Sequence, residues 1–173
     1  MSPIAVRTTL NLNLGCGRKI REGFVNVDVV PGPGVDLVWD LDAIPWPFED
    51  GSADRIFAEG ILEHVLYFDR FWREIYRVLR VGGRIEIGVP YGFNTDPWHV
   101  RYFNRFSILR LMVQPESSTN LQDVGRFRCV EWRVTGNGFP WWHLSVYLNL
   151  RFVPFHRRNT NCAKLWFTLE KIA

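Results

Sequence analysis

An alternating apolar run that ends on two glycines, Leu10-Asn11-Leu12-Asn13-Leu14-Gly15-Cys16-Gly17, narrows sharply what this chain can fold into. Leu10, Leu12 and Leu14 recur at every second residue, the period of a half-buried strand, and Gly15 stops the run. Glycines so placed let the backbone turn tightly and leave its crest bare, so a flat or extended ligand can lie against exposed N–H groups. A dinucleotide fingerprint would need a third small residue three positions after Gly17, where Ile20 stands, and an acid roughly 20 residues further on. The next strand-like run, from Phe24 to Asp28, ends in its acid too early for that. A phosphate loop is excluded as well, because no Gly-Lys-Ser/Thr follows.

Further segments repeat the arrangement of a strand ending at a polar residue. Val35-Asp36-Leu37-Val38-Trp39 reads as a third strand with Asp40-Leu41 at its end, and Asp54-Arg55-Ile56-Phe57-Ala58 as a fourth, short one leading into Glu59-Gly60-Ile61-Leu62-Glu63-His64. From Phe68 to Arg80 the apolar positions 68, 71, 72, 75, 76 and 79 keep the helical period, with Asp69 placed to cap the start and Gly82-Gly83 to end it. Arg84-Ile85-Glu86-Ile87-Gly88-Val89 then alternates as a fifth strand, closed by Pro90.

Taken in order over residues 10–90, these motifs resemble class I S-adenosylmethionine-dependent methyltransferases, whose first strand and loop read "LDLGCG". The likeness is greatest to a small bacterial branch akin to the methyltransferases of quinone biosynthesis. Asn13 stands where that family usually has Asp, Lys19 where a third glycine is frequent, and Val81 where proline is usual. The resemblance implies an α/β, Rossmann-like fold with a mostly parallel seven-stranded sheet and an antiparallel C-terminal strand pair. Phe127–Val134 and Lys164–Glu170 are the strand-like runs that would form that pair. Between them Phe139-Pro140-Trp141-Trp142-His143 and Phe152-Val153-Pro154-Phe155-His156 are aromatic and irregular, and a short helix over Ile108–Val113 is expected after Ser107.

Length and charge set outer limits. At 173 residues the chain is expected to form one domain, 1–173, burying about 70% of its unfolded surface. No apolar run approaches the roughly 18 residues of a membrane span, and Met1–Thr9 lacks the regions of a signal peptide, so a cytoplasmic location is expected. Cys16, Cys129 and Cys162 are odd in number and without CxxC spacing, which points to neither a disulfide frame nor a zinc site. Residues 1–96 carry 10 basic and 14 acidic side chains, whereas residues 97–173 carry 11 basic and 4 acidic. Aromatic side chains amid arginines raise single-stranded nucleic acid as an acceptor. Against it, the first half is acidic and Ala58-Glu59-Gly60-Ile61 replaces the Asn/Asp-Pro-Pro-Tyr/Phe signature of amino-methylating nucleic-acid enzymes.

The resemblance implies S-adenosylmethionine as methyl donor, S-adenosylhomocysteine as product, and a small-molecule, sugar or lipid-linked acceptor methylated on oxygen or nitrogen. It implies that Leu14, Gly15, Cys16 and Gly17 pass the methionine moiety and ribose, with Cys16 needing no reactive role. It further implies that Asp28, with Val29 beside it, holds the ribose. Asp40 and the Leu41 N–H would reach the adenine, and Glu59 and Gly60 would border the sulfonium end. The chemistry agrees, since a carboxylate at a strand end can accept from both ribose hydroxyls.

An acceptor protonated at neutral pH needs a general base. His99, in Asp96-Pro97-Trp98-His99-Val100-Arg101-Tyr102-Phe103, is the first candidate, with Asp96 or Arg101 as its partner. His64 is the second, although a structural role or packing beside the cofactor suits it better than that of a base. The four histidines show no ligand spacing with carboxylates or cysteines, which argues against a metal. Nine residues before the first strand are too few for a helical cover, so an idle binding or assembly module completed by a partner protein is the alternative. A second copy could also supply the cover through Trp141-Trp142 and the aromatic C-terminal region.

Overall fold

The computed structural model describes residues 9–91, 96–104, 106–107, 126–135 and 163–173. Its strands are β1 (Leu10–Leu14), β2 (Val25–Asp28), β3 (Leu37–Val38), β4 (Ala53–Glu59), β5 (Leu79–Pro90), β6 (Phe127–Thr135) and β7 (Lys164–Lys171), with helix α1 (Phe68–Val78) between β4 and β5. They form one seven-stranded sheet in the order β3-β2-β1-β4-β5-β7-β6. The strands from β3 to β5 run parallel, while β7 inserts antiparallel between β5 and β6. The expected mixed sheet with its antiparallel C-terminal pair is therefore present.

Register sorts the side chains cleanly between the two faces. Val27, Leu14, Ala58, Ile87 and Phe167 lie side by side across β2, β1, β4, β5 and β7. One residue earlier in the parallel strands, the row reads Asn26, Asn13, Phe57, Glu86 and Thr168. The first row belongs to the hydrophobic core and the second is largely polar, because side chains alternate faces along a strand. Parallel sheets are ordinarily apolar on both faces and covered on both. Here the described helix covers one.

That helix buries Phe71, Trp72, Ile75 and Val78 against the apolar face, each worth about 1.5–3 kcal/mol. Asp69 does not cap it, contrary to expectation. Tyr67 holds the cap position without a side-chain bond, and Asp42, from the loop after β3, accepts from the N–H groups of Leu66 and Tyr67 at 3.2 Å instead. A carboxylate at a helix N-terminus satisfies orphan donors whichever part of the chain supplies it. The helix also stops at Val78 rather than Arg80, because Leu79 already has extended geometry and pairs with Ala53. Gly82-Gly83, expected as the helix stop, lies within β5 where the register shifts. β3 contracts to two residues, and between Gly17 and Phe24 the chain makes turns without any helix. The expected helix over 108–113 and the aromatic runs at 139–143 and 152–156 lie outside the described residues.

The loop before β4 is bolted to α1 by charge. The Glu74 carboxylate, 6% exposed, accepts from the Trp46 N–H at 2.7 Å and from Arg77 at 2.7 and 2.9 Å. Arg77 also donates to the carbonyls of Trp46 and Phe48 and to Asp50. Burial works against the Glu74 charge, but the bonds from Arg77 and the Trp46 N–H outweigh it and hold the carboxyl below the usual glutamate range. The stabilisation is therefore fully present above the unfolded value of about 4.3 and is lost as pH falls through the depressed folded value. Arg77→Ala strands a buried carboxylate and is expected to cost about 2–4 kcal/mol in urea denaturation at pH 7. The variant should also lose less further stability than the native chain between pH 5 and pH 3.

Candidate active site

Reversal of strand order puts β2 on one side of β1 and β4 on the other, so the loops after β1 and β4 diverge at their carboxyl ends. Between them lies a cleft of about 210 Å³. Gly15, Asp28, Val29, Asp40, Leu41 and His64 line it, as do Trp39, Asp42, Ile61 and Val65, which the sequence did not single out. A larger hollow of about 650 Å³ lies over the polar face of the sheet. Several of its arginines are spent on carboxylates there: Arg80 on Asp54, Arg84 on Glu170, and Arg133 on Glu86 and Glu131.

Gly15 and Gly17 both hold positive φ, 61° and 51°, a region costly for other residues. A Cβ on Gly15 would stand 2.9 Å from the Ile61 side chain, whereas one on Gly17 would enter open space. Asp28 fixes the loop from the end of β2, accepting from the Gly17 N–H at 2.7 Å and the Val30 N–H at 3.0 Å. An ionised carboxylate has about four acceptor sites, so two remain. Asp40, also in the cleft lining, accepts from the Asp42 N–H through Oδ1 at 2.9 Å.

A polar network beneath the loop accounts for Asn13. Its Nδ2 donates to the Lys19 carbonyl at 2.9 Å and to Asn26 Oδ1 at 2.8 Å, while Asn26 donates to Asp36 and accepts from the Arg21 N–H. An ionised Asp at 13 could make neither donation. Cys16 is buried, its thiol pushed up by desolvation and by the neighbouring Asp28 charge, which is the opposite of an activated nucleophile. Leu14 is fully buried and offers a ligand only its backbone.

Glu59 and Gly60 do not line the cleft. Glu59 bonds to Lys19 at 2.7 Å and to Lys164. Its burial opposes ionisation, yet the two lysines prevail and keep its carboxyl below the usual range. Lys164 begins β7, so this pair ties the loop after β1 to the antiparallel half of the sheet.

The segment 96–103 folds back on the loop after β4. Val100 N–H donates to the Glu63 carbonyl at 2.9 Å, and Arg101 donates to the carbonyls of Val65 and Leu66 while lying 4.9 Å from the Phe68 ring centre. Arg101 is thus spent on backbone. The docking brings His99 edge-on to His64, ring centres 4.7 Å apart, with Asp96 Oδ2 3.6 Å from His99 Nε2. Glu63 completes the group: one donor atom from each of Glu63, His64 and His99 lies within 4.8 Å of the others. Glu63 is 2% exposed, and its burial pushes the carboxyl up. No spacing rule could have found this trio, because His99 is 35 positions from His64 and is brought in by backbone bonds.

The fold is that of class I S-adenosylmethionine-dependent methyltransferases. Residues 26–87 match the methyltransferase domain family. Over 72 residues, 40% of this chain, the sequence is 29% identical to phosphoethanolamine N-methyltransferase 2 of Caenorhabditis elegans, and the match spans 16% of that relative's length. Among solved structures, the chain is similar to the Burkholderia thailandensis 1,6-didemethyltoxoflavin-N1-methyltransferase with bound 1,6-didemethyltoxoflavin and S-adenosylhomocysteine. That match has a TM-score of 0.62 and 15% identity, and covers 96% of this chain and 72% of that one. It is also similar to a chain of the complex between the Haloferax volcanii Trm112 methyltransferase activator and a methyltransferase, with a TM-score of 0.63, 15% identity, and 96% and 84% coverage. No helix among the described residues is long and apolar enough to cross a membrane.

Asn13→Ala leaves the Lys19 carbonyl and Asn26 Oδ1 without their shared donor. It is expected to cost about 1–3 kcal/mol in urea denaturation, the penalty of unsatisfied buried groups.

Proposed function

We propose that the chain is an S-adenosylmethionine-dependent methyltransferase, folded as one domain and acting in the cytoplasm on an oxygen or nitrogen of a small-molecule, sugar or lipid-linked acceptor. The observation that carries this reading is the convergence of Gly15, Asp28, Asp40 and Leu41 on one cleft at the strand reversal. A nucleoside bearing a positive sulfonium suits that lining. Carboxylates at Asp28 and Asp40 retain acceptor capacity, and Val29, Leu41, Ile61 and Val65 supply apolar walls. When bound, S-adenosylmethionine supplies an electrophilic methyl group.

In this reading Asp28 holds the ribose and keeps the glycine loop in place, while Asp40 and the Leu41 N–H take the adenine. The Gly15–Gly17 backbone passes the methionine end, while Glu59 and the turn at Gly60, outside the cleft lining, act on that end only through the bond from Glu59 to Lys19 of the glycine loop. His64 and His99 stand at the acceptor end, where the acceptor's proton must leave, with Asp96 orienting His99 and Arg101 holding the segment down. The main contribution to rate is placement of the acceptor in line with the leaving sulfur and exclusion of water.

The test is a pair of variants. Asp28→Ala should weaken S-adenosylmethionine binding at least tenfold, about 1.4 kcal/mol. His99→Ala should keep that affinity while lowering turnover by roughly 10²–10⁴, read as S-adenosylhomocysteine release on a panel of amines and alcohols that includes phosphoethanolamine. Unchanged binding by Asp28→Ala would remove the ribose from this site. A second reading, favoured by the likeness to a methyltransferase–activator complex, is a binding module completed by a partner protein or second copy. It predicts the same loss in Asp28→Ala, with no turnover by the isolated native chain.

A further inference from the structure

Among the described residues, two buried polar atoms beside the cleft have no hydrogen-bond partner: Oε2 of Glu63 and Nδ1 of His99. Glu63 is 2% exposed and the His99 side chain 8%, so water does not readily compensate either. Leaving such groups unmet is destabilising, and more so for a charge. The two atoms belong to residues already grouped with His64, with donor atoms mutually within 4.8 Å.

The surroundings of both imidazoles decide which nitrogen each presents. His64 Nδ1 is 3.2 Å from the Trp98 carbonyl, an acceptor only, so Nδ1 carries the proton and Nε2 keeps its lone pair. His99 Nε2 faces the Asp96 carboxylate, again an acceptor, so the lone pair falls on the orphaned Nδ1. An imidazole that donates one nitrogen to a carbonyl or carboxylate and offers the other is the arrangement that orients metal-binding histidines. Trp98 and Asp96 do this for two histidines that share a buried carboxylate.

We propose that Glu63 Oε2, His64 Nε2 and His99 Nδ1 bind a single divalent transition metal ion of the zinc class. Two nitrogens and one carboxylate suit zinc and its neighbours rather than magnesium or calcium, which prefer all-oxygen sets. Such a cation gives both orphaned atoms a partner and neutralises Glu63, whose carbonyl is held by the Val100 N–H. Three protein ligands leave a coordination position open, and His64 lines the cleft. The substrate class follows, resting on the methyl-transfer reading: an acceptor hydroxyl coordinated there loses its proton to solvent near neutral pH. Its oxygen then forms the bond to the methyl carbon as the carbon–sulfur bond breaks, the electron pair passing to sulfur.

The experiment uses full-length chain stripped with a chelator and titrated with Co²⁺ and Zn²⁺ at pH 7.5, without methyl donor. One equivalent should bind, with the visible ligand-field bands of four- or five-coordinate Co²⁺. Asp96→Asn should weaken binding about 10–100-fold, and Glu63→Gln or His64→Ala by at least as much. His64 is exposed, so His64→Ala keeps the fold even in the case where the buried Glu63→Gln fails to fold, and circular dichroism separates the cases. No saturable binding, or binding indifferent to Glu63, His64 and Asp96, overturns the site. Parallel S-adenosylmethionine titrations keep the readings apart: metal uptake without donor binding defeats the methyltransferase reading alone, and donor binding without metal uptake defeats the metal site alone.

Discussion

Parallel pairing of β1 with β4 is the constraint on which the cleft depends. Leu12 and Leu14 pair with Ile56 and Ala58, so the turns at Gly15 and Gly60 emerge at the same end of the sheet. Because β2 lies on the far side of β1 and β5 on the far side of β4, the two loops lead apart and a crevice opens between them. The loops around it are then held by bonds reaching in from elsewhere. Asp28 grips the glycine loop, Glu59 grips Lys19 and Lys164, and Asp42 ties the cleft rim to the start of α1. The same Asp42 N–H is bonded by Asp40, so the adenine end of the proposed site and the main helix share one short polar relay.

The sheet's two faces have different fates. The apolar face carries α1 and the core, and the glutamate–arginine bolt between α1 and the loop at Trp46 fixes how that layer sits. On the polar face the Asn13–Asn26–Asp36 network replaces apolar contact between strands and loop with directed bonds. Asn13, a departure from the aspartate usual in similar proteins, is a donor in that network and so reflects a local requirement of this face.

Much of this was legible in the sequence because it is local. Period-two alternation in β1, β5, β6 and β7 and the 3.6 period in α1 mark elements directly, and Gly15 after β1 and Asp28 at the end of β2 follow from the strand-like runs that precede them, whereas Asp40 and Leu41 lie just beyond a β3 that ends at Val38. The sequence was silent where distant segments meet. Nothing near Tyr67 reveals that Asp42 would cap α1. Nothing near His99 reveals that the Val100 N–H and the Arg101 guanidinium would bond to the loop after β4 and set it against His64 and Glu63. Helix and strand ends also shifted where pairing overrode propensity, as at Leu79, which joins the sheet although the apolar period would carry the helix on.

Calorimetric titration of the purified chain with S-adenosylmethionine, S-adenosylhomocysteine and NAD in parallel tests the central claim most directly. Saturable binding of both sulfur nucleosides in the micromolar range, about −8 kcal/mol, with none of NAD, is the result predicted. Absence of binding by either sulfur ligand, or equal binding of NAD, would contradict the assignment of this cleft.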